Sequence, residues 1–185
     1  MTPLLRFDAV ALRRGGRLLF EGLSFAIGPG EALQVTGPNG SGKSSLIRLA
    51  AGLLRPESGR IERGKLALAD DHLALDPELP LRRALGFWIA DYPLERGLKI
   101  MGIEDLADIP VRLLSAGQGR KASLARVIAS DADIWLLDEP LNGLDADGLE
   151  RLGLIIELRR RKGGAVLAAS HQPLAGEWKT LELGG

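Results

Sequence analysis

Cysteine does not occur in the sequence, so neither a disulfide framework nor a thiolate metal site is available, and a reducing compartment is compatible with the chain. No stretch approaches the roughly 18 consecutive apolar residues of a membrane-spanning helix. The first residues, Met1-Thr2-Pro3-Leu4-Leu5-Arg6-Phe7-Asp8, lack the basic start and long apolar core of an export signal. Charge of neither sign is in excess: 24 Lys and Arg stand against 24 Asp and Glu. That balance leaves no field to draw nucleic acid or an anionic membrane surface as the main partner. Internal repeats and low-complexity tracts are also missing. These absences leave a soluble chain of about one domain, residues 1–185, long enough to bury a sizeable core.

What is present is a glycine-rich turn in a particular setting. Gly37-Pro38-Asn39-Gly40-Ser41-Gly42-Lys43-Ser44 fits the phosphate-loop pattern of glycine, four residues, then Gly-Lys-Ser/Thr. Residues 31–36 read as a strand that delivers the chain to this turn, where backbone N–H groups can close around an anion without Cβ interference. A helical stretch, Ser44-Ser45-Leu46-Ile47-Arg48-Leu49-Ala50-Ala51, follows at once, so its first N–H groups and its positive dipole end face the same phosphates. Lys43 is placed to reach the β and γ phosphates, the Ser44 hydroxyl to ligate Mg2+, and residues 37–45 are candidate ATP contacts. The bland alternative, a glycine-rich strand-to-helix turn, would arise by chance roughly once in more than a hundred chains of this length.

Elsewhere, residues 4–12 and 18–27 are strand-like on either side of Gly15-Gly16 and predict a small antiparallel β-lobe beside the nucleotide base. A short strand is expected over 60–68. Residues 81–92 and 98–106 have helical patterns, split by Pro93 and Gly97, which predicts a helical lobe that lies approximately within 70–130. Ser115-Ala116-Gly117-Gln118 opens a further helix with a capping-box pattern. Ile134-Trp135-Leu136-Leu137 is a continuous apolar run ending in Asp138-Glu139-Pro140, as suits a central parallel strand buried on both faces. A long helix is expected over 145–162, closed by Gly163-Gly164, then a strand over 165–170 ending at His171.

In this order the phosphate loop, Leu114-Ser115-Ala116-Gly117-Gln118, the strand ending at Asp138-Glu139, and Ser170-His171-Gln172 resemble the ATP-binding subunit of an ATP-binding-cassette (ABC) transporter. The resemblance covers nearly the whole chain and implies an α/β phosphate-loop NTPase fold with an antiparallel β-lobe and a small helical subdomain. It implies that Asp138 is the second Mg2+-associated carboxylate and that Glu139 is the catalytic glutamate that polarises the attacking water. It further implies that His171 is the histidine that hydrogen-bonds the γ-phosphate. Ser115, Gly117 and Gln118 are implied to close over ATP held by a second copy of the chain, and Asp145 to lie in the segment that communicates across that dimer. Asn142-Gly143 departs from the more usual Ser-Ala there. His72 stands where the family keeps a glutamine that contacts Mg2+ and the membrane subunit, and Arg14 where it keeps an aromatic that stacks on adenine. An arginine plane can also stack on a base.

The chain is short for such a subunit. With Glu78-Leu79 ahead of the helical lobe and His171-Gln172 at the strand end, it is similar to the haem-exporter ATP-binding subunits of bacterial cytochrome c maturation. That likeness implies a separate integral membrane subunit docked near residues 70–90. Leu73, Leu75, Leu79, Phe87 and Trp88 are possible apolar contacts there, although core packing competes for at least half of them. It also implies a peripheral place on the cytoplasmic face of the inner membrane. A soluble ABC-type ATPase of iron-sulfur assembly or another non-transport system is the alternative, and a phosphate-loop kinase would have no use for Leu114-Ser115-Ala116-Gly117-Gln118.

Overall fold

The computed structural model describes residues 2–70, 75–89 and 91–184. Two sheets organise them. Strands β1 (Leu5–Arg14), β2 (Arg17–Ile27) and β4 (Ser58–Arg63) form an antiparallel sheet in the order β2-β1-β4. Strands β3 (Ala32–Thr36), β5 (Leu66–Ala69), β6 (Ile134–Asp138), β7 (Ala165–Ala169) and β8 (Lys179–Glu182) form a second sheet in the order β5-β6-β7-β3-β8. Every pairing in the second sheet is parallel.

Side-chain alternation along β6 explains the layering. Ile134 and Leu136 point into one apolar cluster, with Leu46, Ile47 and Leu49 of helix α1 (Lys43–Ala50) and with Leu5, Phe7 and Val10 of the antiparallel sheet. Trp135 and Leu137 point into the other, with helices α2 (Leu81–Gly86), α3 (Asp91–Ile100), α4 (Ala116–Ala129) and α5 (Ala146–Arg161). A strand covered on both faces carries apolar residues at successive positions, which is why the run from Ile134 to Leu137 does not alternate with polar ones. Each fully buried Leu or Ile contributes about 1.5–3 kcal/mol through removal of its surface from water. The arrangement is the α/β layering with an antiparallel β-lobe and a helical lobe that the resemblance implies.

Three boundaries differ from those expected. The single strand over 60–68 is two strands that belong to different sheets. Gly64 and Lys65 link them, the Gly64 N–H donating to the Leu4 carbonyl and the Lys65 carbonyl accepting from the N–H groups of Asp133 and Ile134. The helix over 81–92 ends at Gly86, and its successor starts at Asp91. Pro93 therefore lies in the first turn of α3, where its missing N–H costs nothing, and does not divide two helices. The helix expected over 98–106 likewise ends at Ile100, with Glu104–Leu106 forming a separate 3-10 turn.

Gly97 sits within α3 for a packing reason. A Cβ there would lie 2.4 Å from the Ala125 carbonyl oxygen of α4, so the absence of a side chain sets how closely the two helices cross. Gly86, by contrast, has open space around its Cβ direction. Gly97→Ala is expected to cost about 1–3 kcal/mol through overpacking, whereas Gly86→Ala stays within about 0.5 kcal/mol of the parent. Urea unfolding of the two variants checks both.

Candidate nucleotide site

Parallel strands place the loops that follow their carboxyl ends side by side, and in open α/β sheets ligands bind there. Here those loops follow β3, β6 and β7, three strands adjacent in the sheet in the order β6-β7-β3. The loop after β3 is residues 37–42. Gly37, Gly40 and Gly42 adopt φ of +139°, +80° and +106°, in the left-handed half of the map that disfavours side chains. At Gly37 a Cβ would also collide with the Leu183 carbonyl oxygen at 2.3 Å. Pro38, Asn39 and Gly40 are exposed at the tip, while Ser41 is buried with its hydroxyl unpaired. A buried hydroxyl without a partner fits a loop built to surround an oxygen-rich ligand.

Lys43 is only 7% exposed, and its ammonium donates to the carbonyls of Gly37 at 2.8 Å and Pro38 at 3.1 Å. The cation thus rests on the carbonyls of its own loop. Ser44 Oγ donates to Asp138 Oδ1 at 3.0 Å, which brings together two hard oxygen donors 94 residues apart in sequence. Ser45 is buried in the first turn of α1, and Arg14 Nη1 reaches its hydroxyl at 3.5 Å. Arg14 therefore ends the β-lobe beside the start of α1, close to the phosphate loop.

After β6 the chain turns sharply. Glu139 has φ +48°, a left-handed conformation that costs of order 1–3 kcal/mol for a residue with a side chain and concentrates at functional sites. The surroundings hold it there. Its N–H donates to the Ala169 carbonyl at 2.8 Å, and Glu139 Oε2 meets His171 Nδ1 at 2.8 Å. The Glu139 side chain is 19% exposed and that of His171 51%, so the pair sits at the edge of solvent. Gln34, buried in β3, pins the turn beyond β7 by donating to the Gln172 carbonyl at 2.8 Å.

Ser115, Gly117 and Gln118 form a second cluster. Ser115 Oγ accepts from the Gln118 N–H at 3.2 Å and the Gln118 side chain accepts from the Ser115 N–H at 2.9 Å, the reciprocal capping box read from the sequence. Gly117 packs against the next loop so tightly that a Cβ would lie 2.6 Å from the Gly143 carbonyl oxygen. Asp145 caps α5 through the Gly148 N–H at 2.9 Å and pairs with Lys121 at 2.9 Å. The Lys121 hydrogen bond, followed by that from Gly148, lowers the Asp145 carboxyl below its usual range. Ser115 and Gln118 bond to each other and not to the phosphate loop. His72 lies outside the described residues, as does Leu73. Phe87 and Trp88 are exposed, while Leu75 and Leu79 are half-buried.

One residue of this region escapes sequence inspection. Arg120 is buried in α4 and donates through Nη2 to the carbonyls of both Asp138 and Glu139. Its only signal is a guanidinium in a helix otherwise filled with small and apolar residues on its inner face.

The sequence profile of the ABC transporter family matches residues 20–142. The chain belongs to that family. A cytochrome c biogenesis ATP-binding export protein CcmA of Sphingopyxis alaskensis is 56% identical over 181 residues, covering 95% of this chain and 93% of the relative. Another protein of the same description from Zymomonas mobilis is 53% identical over 94% of this chain and 81% of its own length. Among solved structures, an ATP-binding subunit of an ABC transporter superposes with a TM-score of 0.82 over 91% of this chain and 79% of that one, at 22% identity. That likeness concerns the fold. As an ABC ATP-binding domain the chain binds and hydrolyses ATP, and among its described residues no helix is long and apolar enough to cross a membrane.

The Asp145 arrangement carries a pH signature. Because its folded carboxyl is held below the usual range, the cap stabilises fully above the unfolded value and is lost as pH falls through the folded one. The melting midpoint of Asp145→Ala should therefore lie below that of the parent at neutral pH, with the gap closing under acid. Paired thermal melts across that range check it.

Proposed function

We propose that the chain is the ATP-hydrolysing subunit of a haem exporter in cytochrome c-type biogenesis. In this reading two copies face each other head to tail and a separate integral membrane subunit carries the cargo. The complex holds the chain peripherally on the cytoplasmic face of the inner membrane. The observation that carries the ATPase part is the convergence of Lys43, Ser44, Asp138, Glu139 and His171 at the carboxyl ends of three neighbouring strands. The export part is carried by relatives named for cytochrome c biogenesis and export that align over nearly the whole chain.

Each residue then has a task. The N–H groups of residues 37–44 line the triphosphate, and Lys43 exchanges the carbonyls of Gly37 and Pro38 for β and γ oxygens, which compensate its charge better than neutral dipoles. Arg14, already beside Ser45, offers its guanidinium plane to adenine. Mg2+ supplies charge neutralisation on the phosphates when bound. Ser44 Oγ and Asp138 Oδ1 are the oxygens that would hold it, and two protein oxygens suit a cation that keeps mostly phosphate and water ligands.

Glu139 orients a water and accepts its proton, the one piece of acid-base work that phosphoryl transfer asks of protein. His171 Nδ1 fixes the Glu139 carboxylate, and Nε2, which meets the Gln172 side-chain amide at 3.3 Å, exchanges that neighbour for a γ-phosphate oxygen when ATP binds. The Ser115 hydroxyl, the Gly117 N–H and the positive dipole end at the start of α4 face the triphosphate on the other copy, while the Ser115 N–H stays with the Gln118 side chain. Asp145 braces that helix start through Lys121.

Lys43→Ala should weaken ATP affinity by about tenfold or more; unchanged affinity in fluorescent-nucleotide titration would refute the loop assignment. Glu139→Gln should retain affinity, lose turnover by roughly 10²–10⁴-fold and accumulate as an ATP-held dimer in size-exclusion chromatography. In cells whose own copy has been deleted, the wild-type chain should restore haem-stained c-type cytochromes and Glu139→Gln should not. Normal cytochromes without the chain would overturn the cargo reading while leaving the ATPase intact.

A further inference from the structure

We infer that Arg120 is a positioning residue for hydrolysis, through which helix α4 sets the catalytic geometry of Glu139 within the same chain. The inference rests on the reading of Glu139 as the residue that activates water. It begins with the backbone. Glu139 is held at a positive φ, and such a conformation persists only where its neighbours over-determine it. Its N–H is tied to β7 through Ala169 and its carboxylate to His171. The carbonyl accepts from the Asn142 N–H at 3.2 Å within the turn itself and from Arg120, which reaches it from a different layer of the protein. The same Nη2 also holds the carbonyl of Asp138, so both carbonyls that flank the turn point at one guanidinium.

Arg120 is one of three joints between α4 and the segment 138–145. Gly117 abuts the Gly143 carbonyl, Lys121 pairs with Asp145, and Arg120 takes the carbonyls of Asp138 and Glu139. All three leave α4 within its first two turns, from residues 117, 120 and 121. Beside them lies an open cleft of about 520 Å3 lined by Asp70, Ser115, Arg120, Ser123, Asn142 and Gly143. On its other side α4 is locked to α3 at the Gly97–Ala125 crossing. A displacement of the helical lobe is therefore delivered along α4 to the peptide that carries Glu139, and Arg120 is the contact that delivers it.

Placement of a reacting group is steep in its consequences, since misplacement by about 1 Å can cost a hundredfold in rate. Arg120→Met keeps the apolar length of the side chain and removes the donors. It should lower kcat by roughly ten- to a hundredfold while ATP affinity stays within about twofold, and it should accumulate the ATP-held dimer as Glu139→Gln does. A lesion that merely loosened the fold would lower affinity and trap no dimer. Arg120→Lys restores a cation and one donor at the two carbonyls and should recover most of the lost turnover, and it serves as the readable variant if the methionine form does not fold. A folded Arg120→Met with kcat unchanged, or with its loss confined to affinity, overturns the inference, as does an Arg120→Lys no better than methionine. If Glu139→Gln itself hydrolyses ATP normally, it is the reading of Glu139 that fails, and this control separates the two.

Discussion

A strand covered on both faces can present charge only where it leaves the core, and β6 obeys that constraint. Ile134, Trp135, Leu136 and Leu137 are all buried, and the carboxylates come immediately after them. Asp138 remains 5% exposed, which is tolerable because the Ser44 hydroxyl donates to it. The next residue bends the backbone into the left-handed region and escapes to the solvent edge. Two acidic groups one residue apart thereby acquire different surroundings, one facing the start of α1 and one facing His171. The different tasks proposed for the two carboxylates rest on this separation, which follows from where the strand ends.

Much of this was readable before any coordinates. Spacing alone placed the phosphate loop, because glycines at 37, 40 and 42 answer to a backbone that side chains resist. The apolar run 134–137 announced a strand with two hidden faces, and Ser115 with Gln118 announced a reciprocal cap. Resemblance supplied more than periodicity could for Glu139 and His171, since a carboxylate pair and a lone histidine mean little without the order of motifs around them. Less was legible between residues 58 and 106. Arg60 to Leu68 looks like one strand because nothing in its composition says that its two halves pair in different sheets. Pro93 looks like a break because the residues before it continue a helical pattern, and only the packing of α2 against the rest decides that the helix ends at Gly86. Arg120 was invisible for a related reason: an arginine in a helix reads as surface until its burial is known.

In the proposed reading the Gly37 and Pro38 carbonyls and the phosphate oxygens compete for the Lys43 ammonium. Held by the Gly37 and Pro38 carbonyls, the buried ammonium closes the loop on itself and has its hydrogen bonds met by neutral acceptors. The same contacts are easily surrendered, because phosphate oxygens are stronger partners for a cation than peptide carbonyls. The loop is thus kept folded without being made resistant to occupation.

The link between β4 and β5 has a mechanical meaning. Gly64 and Lys65 span from one sheet to the other with no slack, each already bonded to the sheet on its own side. The two sheets are thereby spliced at one peptide, with the antiparallel sheet bonded on the Gly64 side and the parallel sheet on the Lys65 side. Among the described residues the helical lobe has no such strand-to-strand splice and meets the parallel sheet through the side chains around Trp135 and Leu137.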